Sequence, residues 1–240
     1  MSHMHFSIRS GKRGAAADQI AYITRMGRHE QREDLVFVQH GNLPDWADSP
    51  NTFFNAADKG ERKNGSIFRN IKLSLPNALT LDQDVELAIE IADALIGKKP
   101  YILAVHNCLS SIEGVRNPHV HLLYSDRADD GIDRSPALTF KRYNAKHPEK
   151  GGRKKDSGGK NALEMRDHLL AQRNKVAELT NRKLATHGHV ERVDPRSLKD
   201  QGKRQKPERH LGQRRIREMS EREKEEYVEV RKERRQRDLC

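Results

Sequence analysis

Residues 101–125, YILAVHNCLSSIEGVRNPHVHLLYS, hold the pattern from which the fold is read. Tyr101 to His106 and His119 to Ser125 are apolar runs of strand length joined by a polar loop. In a strand, successive side chains point to opposite faces. His119 and His121 therefore share one face, while Val120 and Leu122 share the other. On the preceding strand Ile102, Ala104 and His106 share a face in the same way. An antiparallel pairing of the two strands can then bring a third imidazole to the first two. Three neutral imidazoles leave coordination positions open, as a catalytic rather than a structural metal requires. The competing reading is that these are ordinary strand histidines, bonded in the core or facing solvent.

Working outward, the first 140 residues read as α+β. Phe6 and Ile8 mark a strand, and a helix follows from about Ala15 to Met26. Leu35 to Gln39 is a short strand, and residues 51–62 form a helix that Asn64 and Gly65 end. Ile67, Ile71, Leu73 and Leu75 alternate along a half-buried strand that stops at Pro76. Thr80 opens a helix with Gln83 placed to complete a capping box. Leu81, Val85, Ala88, Ile89, Ala92, Leu95 and Ile96 fall on one face of that helix, and Gly97 ends it.

Beyond Arg142 the composition changes. Residues 144–160, NAKHPEKGGRKKDSGGK, form a Gly- and Lys-rich stretch expected to be mobile without a partner. Residues 162–186 are helical, with Leu163, Leu169, Leu170, Val176, Leu179 and Leu184 available for packing. From Arg214 on, the chain is mostly Arg, Lys and Glu. That suits an exposed helix without a core and reads as the start of a connector into a longer protein.

The 240 residues include 46 Lys+Arg and 35 Asp+Glu, for a net charge of +11. The excess is local: residues 1–140 sum to −2, residues 141–212 to +11 and residues 213–240 to +2. A basic segment beside a near-neutral domain is what phosphate-backbone binding calls for. The bland alternative is a solvated segment that only aids solubility. No apolar run approaches the roughly 18 residues of a spanning helix, so no membrane insertion is expected. Two cysteines, Cys108 and Cys240, make no disulfide framework and fit a reducing cytoplasm.

Twelve histidines give three His-x-His patterns, His3/His5, His119/His121 and His187/His189. Only the middle one opens an apolar strand. There is no serine elbow and no Gly-rich phosphate loop. Tyr22 is the candidate nucleophile, on a helix whose Arg13, Arg25 and Arg28 could hold phosphates. Trp46, Phe140 and Tyr143 are candidate stacking platforms for bases.

Taken together, AYITRMGRH at 21–29, AADKGERKNGSIFRNIKLSLPNALTLDQ at 56–83, LAVHNC at 103–108 and NPHVHLLYSDRADDGIDR at 117–134 resemble the MobA/MobL (MobQ-type) plasmid mobilisation relaxases. These belong to the His-hydrophobic-His endonuclease superfamily. FKRYNAKHPEKGG at 140–152, VDPRSLKDQG at 193–202 and HLG at 210–212 extend the likeness over most of residues 5–212. The resemblance implies a single antiparallel sheet of about five strands with helices mainly on one face. It divides the chain into a catalytic relaxase core at 1–140, a basic DNA-binding loop and helical part of the same domain at 141–212, and a charged helical connector at 213–240.

It also implies roles: Tyr22 as nucleophile, His106, His119 and His121 as ligands of a divalent metal, Mn²⁺ or Mg²⁺, and single-stranded DNA at a transfer origin as partner, alongside relaxosome accessory proteins in the bacterial cytoplasm. For DNA contacts the basic residues Arg13, Arg25, Arg142, Arg153, Lys154, Lys155 and Arg196 are expected, with Lys203, Arg204 and Lys206 as an alternative clamp. An ordinary tyrosine is only about 0.1% ionised at neutral pH, so the phosphate must be made electrophilic, which is the metal's task. Attack would leave a 5′-phosphotyrosine and a free 3′-hydroxyl, and the same chemistry in reverse rejoins the strand.

One departure matters. Close relatives carry acidic residues on the strand FRNIKLSLP, where this chain has Asn70 and Lys72. Asp18, Asp126, Asp129 and Asp130 are possible substitutes. Two other functions stay open from sequence: a non-catalytic basic DNA-binding accessory protein, and a replication initiator or transposase of the same superfamily. Tyr22 preceding the histidine pair favours a relaxase over an initiator.

Overall fold

The computed structural model describes residues 4–203, 211 and 213–237. Five strands, β1 (Phe6–Ser10), β2 (Leu35–Gly41), β3 (Arg69–Ser74), β4 (Tyr101–Leu109) and β5 (Arg116–Tyr124), form one antiparallel sheet in the order β1-β3-β5-β4-β2. The central position of β5, with β4 beside it, explains why their sequences lack the alternation of a half-exposed strand. Residues 101–106 and 118–124 are buried whichever way they point. The strand order could not be read from the sequence, because β1 and β2, far apart on opposite edges, have similar short apolar patterns.

Each face has its own core. Leu103, Val105, Val120, Leu122 and Tyr124 point toward α3 (Leu81–Ile96) and α5 (Ala162–Thr186), the two longest helices of this layer. The expected capping box of α3 is present, with Thr80 and Gln83 bonded reciprocally. α5 has the span read from sequence, capped by Asn161 and Glu164 in the same manner. Ile102, Ala104 and Leu123 point the other way, to a smaller layer made by α1 (Ala16–Thr24), α2 (Pro50–Gly60) and Phe140. Phe140 follows α4 (Pro136–Thr139). It is 1% exposed and packs on Phe53, so it is a core residue and not a stacking platform. Trp46 likewise lies stacked on Phe53 at 5.7 Å.

The 144–160 stretch is not the loose segment its composition suggests. Two arginines from the preceding polar segment tie its backbone down. Arg127 donates to the carbonyls of Phe140, Lys141 and Arg153, and Arg134 to those of Pro148 and Gly151. Gly152 is needed for this approach, since a Cβ there would stand 2.1 Å from the Lys141 carbonyl oxygen. Composition missed this because the satisfying donors lie outside the stretch itself. The clasp is anchored on Glu61 at the end of α2, which takes Arg127 Nε at 2.5 Å and Lys155 Nζ at 3.1 Å.

A second compact unit gathers residues 108–117, at the turn between β4 and β5, with the described residues from 196 onward. In it α6 (Gln213–Glu218) and α7 (Glu221–Arg237) are polar helices with several i,i+3 and i,i+4 ion pairs, and Arg231 meets Glu113 at 3.1 Å. Residues 141–195 belong to the first unit. Among the described residues no helix is long and apolar enough to cross a membrane.

The Glu61 side chain is 2% exposed and that of Arg127 4%. Removing one partner strands the other charge in the interior. Glu61→Ala is therefore expected to cost about 3–5 kcal/mol in urea unfolding. A loss below about 1 kcal/mol would show that the clasp is not a stability element.

Candidate metal centre and nucleophile

The pleat delivers the three histidines to one place. β5 pairs with β3 so that His119 lies opposite Ser74, His121 opposite Lys72 and Leu123 opposite Asn70. His106, at the end of the buried part of β4, completes the group. The three side chains are buried, at 0%, 5% and 4% exposure in chain order. One nitrogen from each lies within 4.8 Å of the others. The ring centroids are 5.1–5.3 Å apart.

The hydrogen bonds around the three histidines are unequal. His106 Nε2 lies 2.7 Å from the Ile23 carbonyl oxygen, which can only accept, so that nitrogen carries the proton. Its lone pair is then on Nδ1, which accepts from Arg25 Nη2 at 2.9 Å, so a metal ion would take this nitrogen in exchange for the Arg25 bond. A backbone carbonyl fixing one nitrogen of a ligating imidazole is a common arrangement in metal sites. Burial pushes His106 below the ordinary histidine value. His121 is driven down to about 2 by burial, with His119, Lys72 and His106 adding to the effect. Both His121 nitrogens are buried without a hydrogen-bond partner. A neutral imidazole with no partner, beside two others, is a donor set short of an acceptor. The three fit a divalent metal ion.

Tyr22 reaches this group from α1. Its ring stands edge-on to His121, with centroids 5.6 Å apart, and edge-on to His29 at 5.3 Å. Arg25 fixes both partners at once. Its guanidinium grips Asp34 in two bonds of 2.6 and 2.8 Å, donates to the Tyr22 carbonyl at 2.5 Å and lies over the Tyr22 ring at 4.7 Å. Burial opposes the Arg25 charge. The Asp34 carboxylate and Tyr22 outweigh it and hold the guanidinium above its usual range. Arg25 also ends α1 in a left-handed conformation, φ 56°, which costs a non-glycine residue about 1–3 kcal/mol. This is why the helix stops at Thr24 rather than running to Met26.

The basic residues divide sharply. Arg25 and Arg153 are buried and Lys155 is nearly so, paired with Asp34, Asp129 and Glu61 respectively. As placed, each of these charges, read from sequence as a DNA contact, is matched by a carboxylate of the fold. Burial pushes the Lys155 ammonium down despite Glu61. Arg13 donates to the Glu61 carbonyl but keeps an exposed side chain. Arg142, Lys154 and Arg196 are exposed. Lys203 is half-buried, while Arg204 and Lys206 lie outside the described residues.

The proposed stand-in carboxylates are also engaged elsewhere: Asp18 with Arg28, Asp126 with Ser157, Asp129 with Arg153 and Asp130 with Arg134. The carboxylate coupled to the histidines is Asp34, through Arg25, and sequence reasoning missed it. It sits in a charged turn, QREDL, with no periodic signal to single it out. His187 lies at the C-terminal end of α5, where Gln83 meets it at 3.0 Å.

The sheet thus presents three imidazoles on one face, with Tyr22 of α1 packed edge-on against them. The chain belongs to the MobA/MobL family, whose model matches residues 16–222. It is 38% identical over 206 residues to the 43 kDa relaxation protein of Salmonella typhimurium, across 84% of this chain and 56% of that one. It is also 38% identical over 218 residues to mobilization protein A of Escherichia coli, across 88% of this chain and 30% of that one. The chain thus spans about half, or less, of the length of these curated relatives. Its fold is similar to a structure solved for the molecular basis of vancomycin resistance transfer in Staphylococcus aureus, with a TM-score of 0.58, 21% identity, 82% of this chain and 100% of that chain covered.

The orphaned imidazole of His121 makes stability and metal binding pull apart. His121→Leu removes two unsatisfied buried nitrogens at similar volume, so in EDTA it should unfold at equal or higher urea concentration than the wild type. The same variant should lose at least about tenfold in Mn²⁺ affinity by calorimetry, as should His106→Ala and His119→Ala, while His187→Ala should not. Wild-type Mn²⁺ affinity in all three of the first variants would refute the triad.

Proposed function

We propose that this chain is the relaxase part of a plasmid mobilisation protein: it nicks one strand at a transfer origin through Tyr22 and later rejoins it. The observation that carries the reading is the convergence of Tyr22 with His106, His119 and His121 on one face of the sheet. The names of its relatives, a relaxation protein and a mobilization protein, support the same reading.

The three histidines would hold a divalent ion, Mn²⁺ or Mg²⁺, which supplies Lewis-acid polarisation of the phosphate when bound. The chain's own groups do the rest. Tyr22 Oη attacks phosphorus and its proton leaves; the bond to the 3′-oxygen breaks, and that oxygen takes up a proton. A 5′-phosphotyrosine replaces the original diester, so one phosphodiester is exchanged for another and the step reverses readily. Arg25, braced on Asp34, holds the Tyr22 carbonyl at the end of α1, and the Ile23 carbonyl of the same helix orients His106, which keeps the nucleophile and the ligand set in one frame. His29 flanks the Tyr22 ring on a second side and limits its rotation.

DNA would be tracked by exposed cations, with single-stranded origin DNA as the partner. Phe140 is in the core and aromatic residues make up only 5% of the chain, which leaves few platforms for stacking. Binding is therefore mainly electrostatic and salt-sensitive. Double replacement of Arg142 and Lys154 by Gln should flatten the slope of log affinity against log salt, by about 0.7 for each single-strand phosphate that these side chains neutralise in the wild type. An unchanged slope would move the clamp elsewhere.

The reading itself is tested on a supercoiled plasmid carrying the chain's own origin. Wild type with Mn²⁺ should convert it to the open circle and leave protein attached to the 5′ end. Tyr22→Phe should bind a single-stranded origin oligonucleotide within about twofold of wild type and yield no adduct. An adduct in the variant that maps to another residue would reject Tyr22.

A further inference from the structure

We propose that Lys72 is a substrate-binding residue of this site, its ammonium meeting the scissile phosphodiester between Tyr22 and the histidine triad. The inference rests on the relaxase reading and adds to it a residue of β3 that faces the histidines.

The placement follows from register. Residues directly opposite in an antiparallel pair project from the same face, and Lys72 is opposite His121. Its neighbour on the edge strand, opposite in the β1–β3 pair, is Ser7. One step along the same face, Asn70 lies between Arg9 and Leu123. The row thus reads Ser7, Lys72, His121 across three strands, so the Lys72 side chain leaves the sheet on the same face as, and next to, the imidazole that faces Tyr22. Its charge is felt there: Lys72 contributes to the lowering of both His121 and His106.

Nothing in the fold uses this charge. Among the described residues the Lys72 ammonium has no carboxylate and no hydrogen-bond partner, whereas Arg25, Arg127, Arg134, Arg153 and Lys155 are each paired. Asn70, beside it, has a buried amide oxygen without a donor. A half-buried cation beside the neutral His121 imidazole, with no carboxylate to match it, is unfavourable on its own account, and an anion entering the site would relieve it. The anion that must come here is the phosphodiester under attack by Tyr22. Lys72 would contact a non-bridging oxygen and offset the charge that gathers there as Tyr22 adds and the 3′-oxygen departs. Arg25 does not offer this, since Asp34 neutralises it.

The test uses a 5′-fluorescein oligonucleotide spanning the nick that wild type makes in its own plasmid, bound in EDTA. The phosphate at the nick is either native or an uncharged methylphosphonate. Wild type should lose about tenfold in affinity on the replacement. Lys72→Met should bind the native oligonucleotide about tenfold more weakly than wild type, and lose almost nothing further on the replacement. Lys72→Arg should recover most of the affinity. Full and equal penalties for the replacement in wild type and Lys72→Met would overturn the proposal.

A second arm needs no DNA. If the ammonium borders the triad, Lys72→Met should raise Mn²⁺ affinity several-fold by removing a like charge. Unchanged Mn²⁺ affinity would place the ammonium outside the site and overturn the proposal. A wild-type chain that makes no nick would instead sink the relaxase reading, and Lys72 would be judged by the metal arm alone.

Discussion

His121 has both ring nitrogens buried without a partner, in the middle strand of a sheet that is covered on both faces at that point. Leaving such a group unsatisfied costs roughly 1–3 kcal/mol, and a chain under pressure for stability alone would replace it. The cost is borne by the rest of the strand. Val120, Leu122 and Leu123 are fully buried on either side of it, and each contributes on the order of 1.5–3 kcal/mol of hydrophobic stabilisation. The strand can hold an unsatisfied imidazole because its neighbours anchor it in two separate cores. His106 and His119 are drawn into the same place by the pleat, and the outcome is a site assembled in advance of any ion.

How much of this was legible depends on the range over which each signal acts. The alternation of His119, Val120, His121 and Leu122 fixes which side chains share a face, and Ile102, Ala104 and His106 carry the same information on β4; both arrangements are found. Capping signals act within four residues, and Thr80 with Gln83 and the span of α5 are placed as read. The strand order has no local signal. It follows from which strands find partners once both cores close, and nothing in FSIRS or LVFVQ says that they end on opposite edges.

Charge was the less faithful guide, for a physical reason. Net charge counts Arg153, Lys155 and Arg25 as available cations, yet each is matched by a carboxylate brought in from elsewhere in the chain: Asp129, Glu61 and Asp34. A guanidinium in a polar, glycine-rich stretch looks like a phosphate contact in sequence. In the structure it can as readily satisfy backbone carbonyls that would otherwise be stranded, as Arg127 and Arg134 do. Among the described residues of this basic segment, Arg153 and Lys155 of the loop are matched by Asp129 and Glu61, Arg182 and Lys183 pair with Glu90 and Glu86 of α3, and Arg142 and Lys154 face solvent.

The same division sets the electrostatics of the site. Within it the two cations nearest the imidazoles are unlike. Arg25 is neutralised by Asp34 and tied to Tyr22 and His106, so it acts as a strut, holding geometry while adding little net field. Lys72 is unpaired and adds a full charge, and with His121 neutral the site carries a positive potential before any metal enters. A carboxylate at that position would instead strengthen the pull on a metal and repel a phosphate. A base at this position of β3 thus weighs the site toward anions and against cations, with the histidines and the tyrosine left where they are.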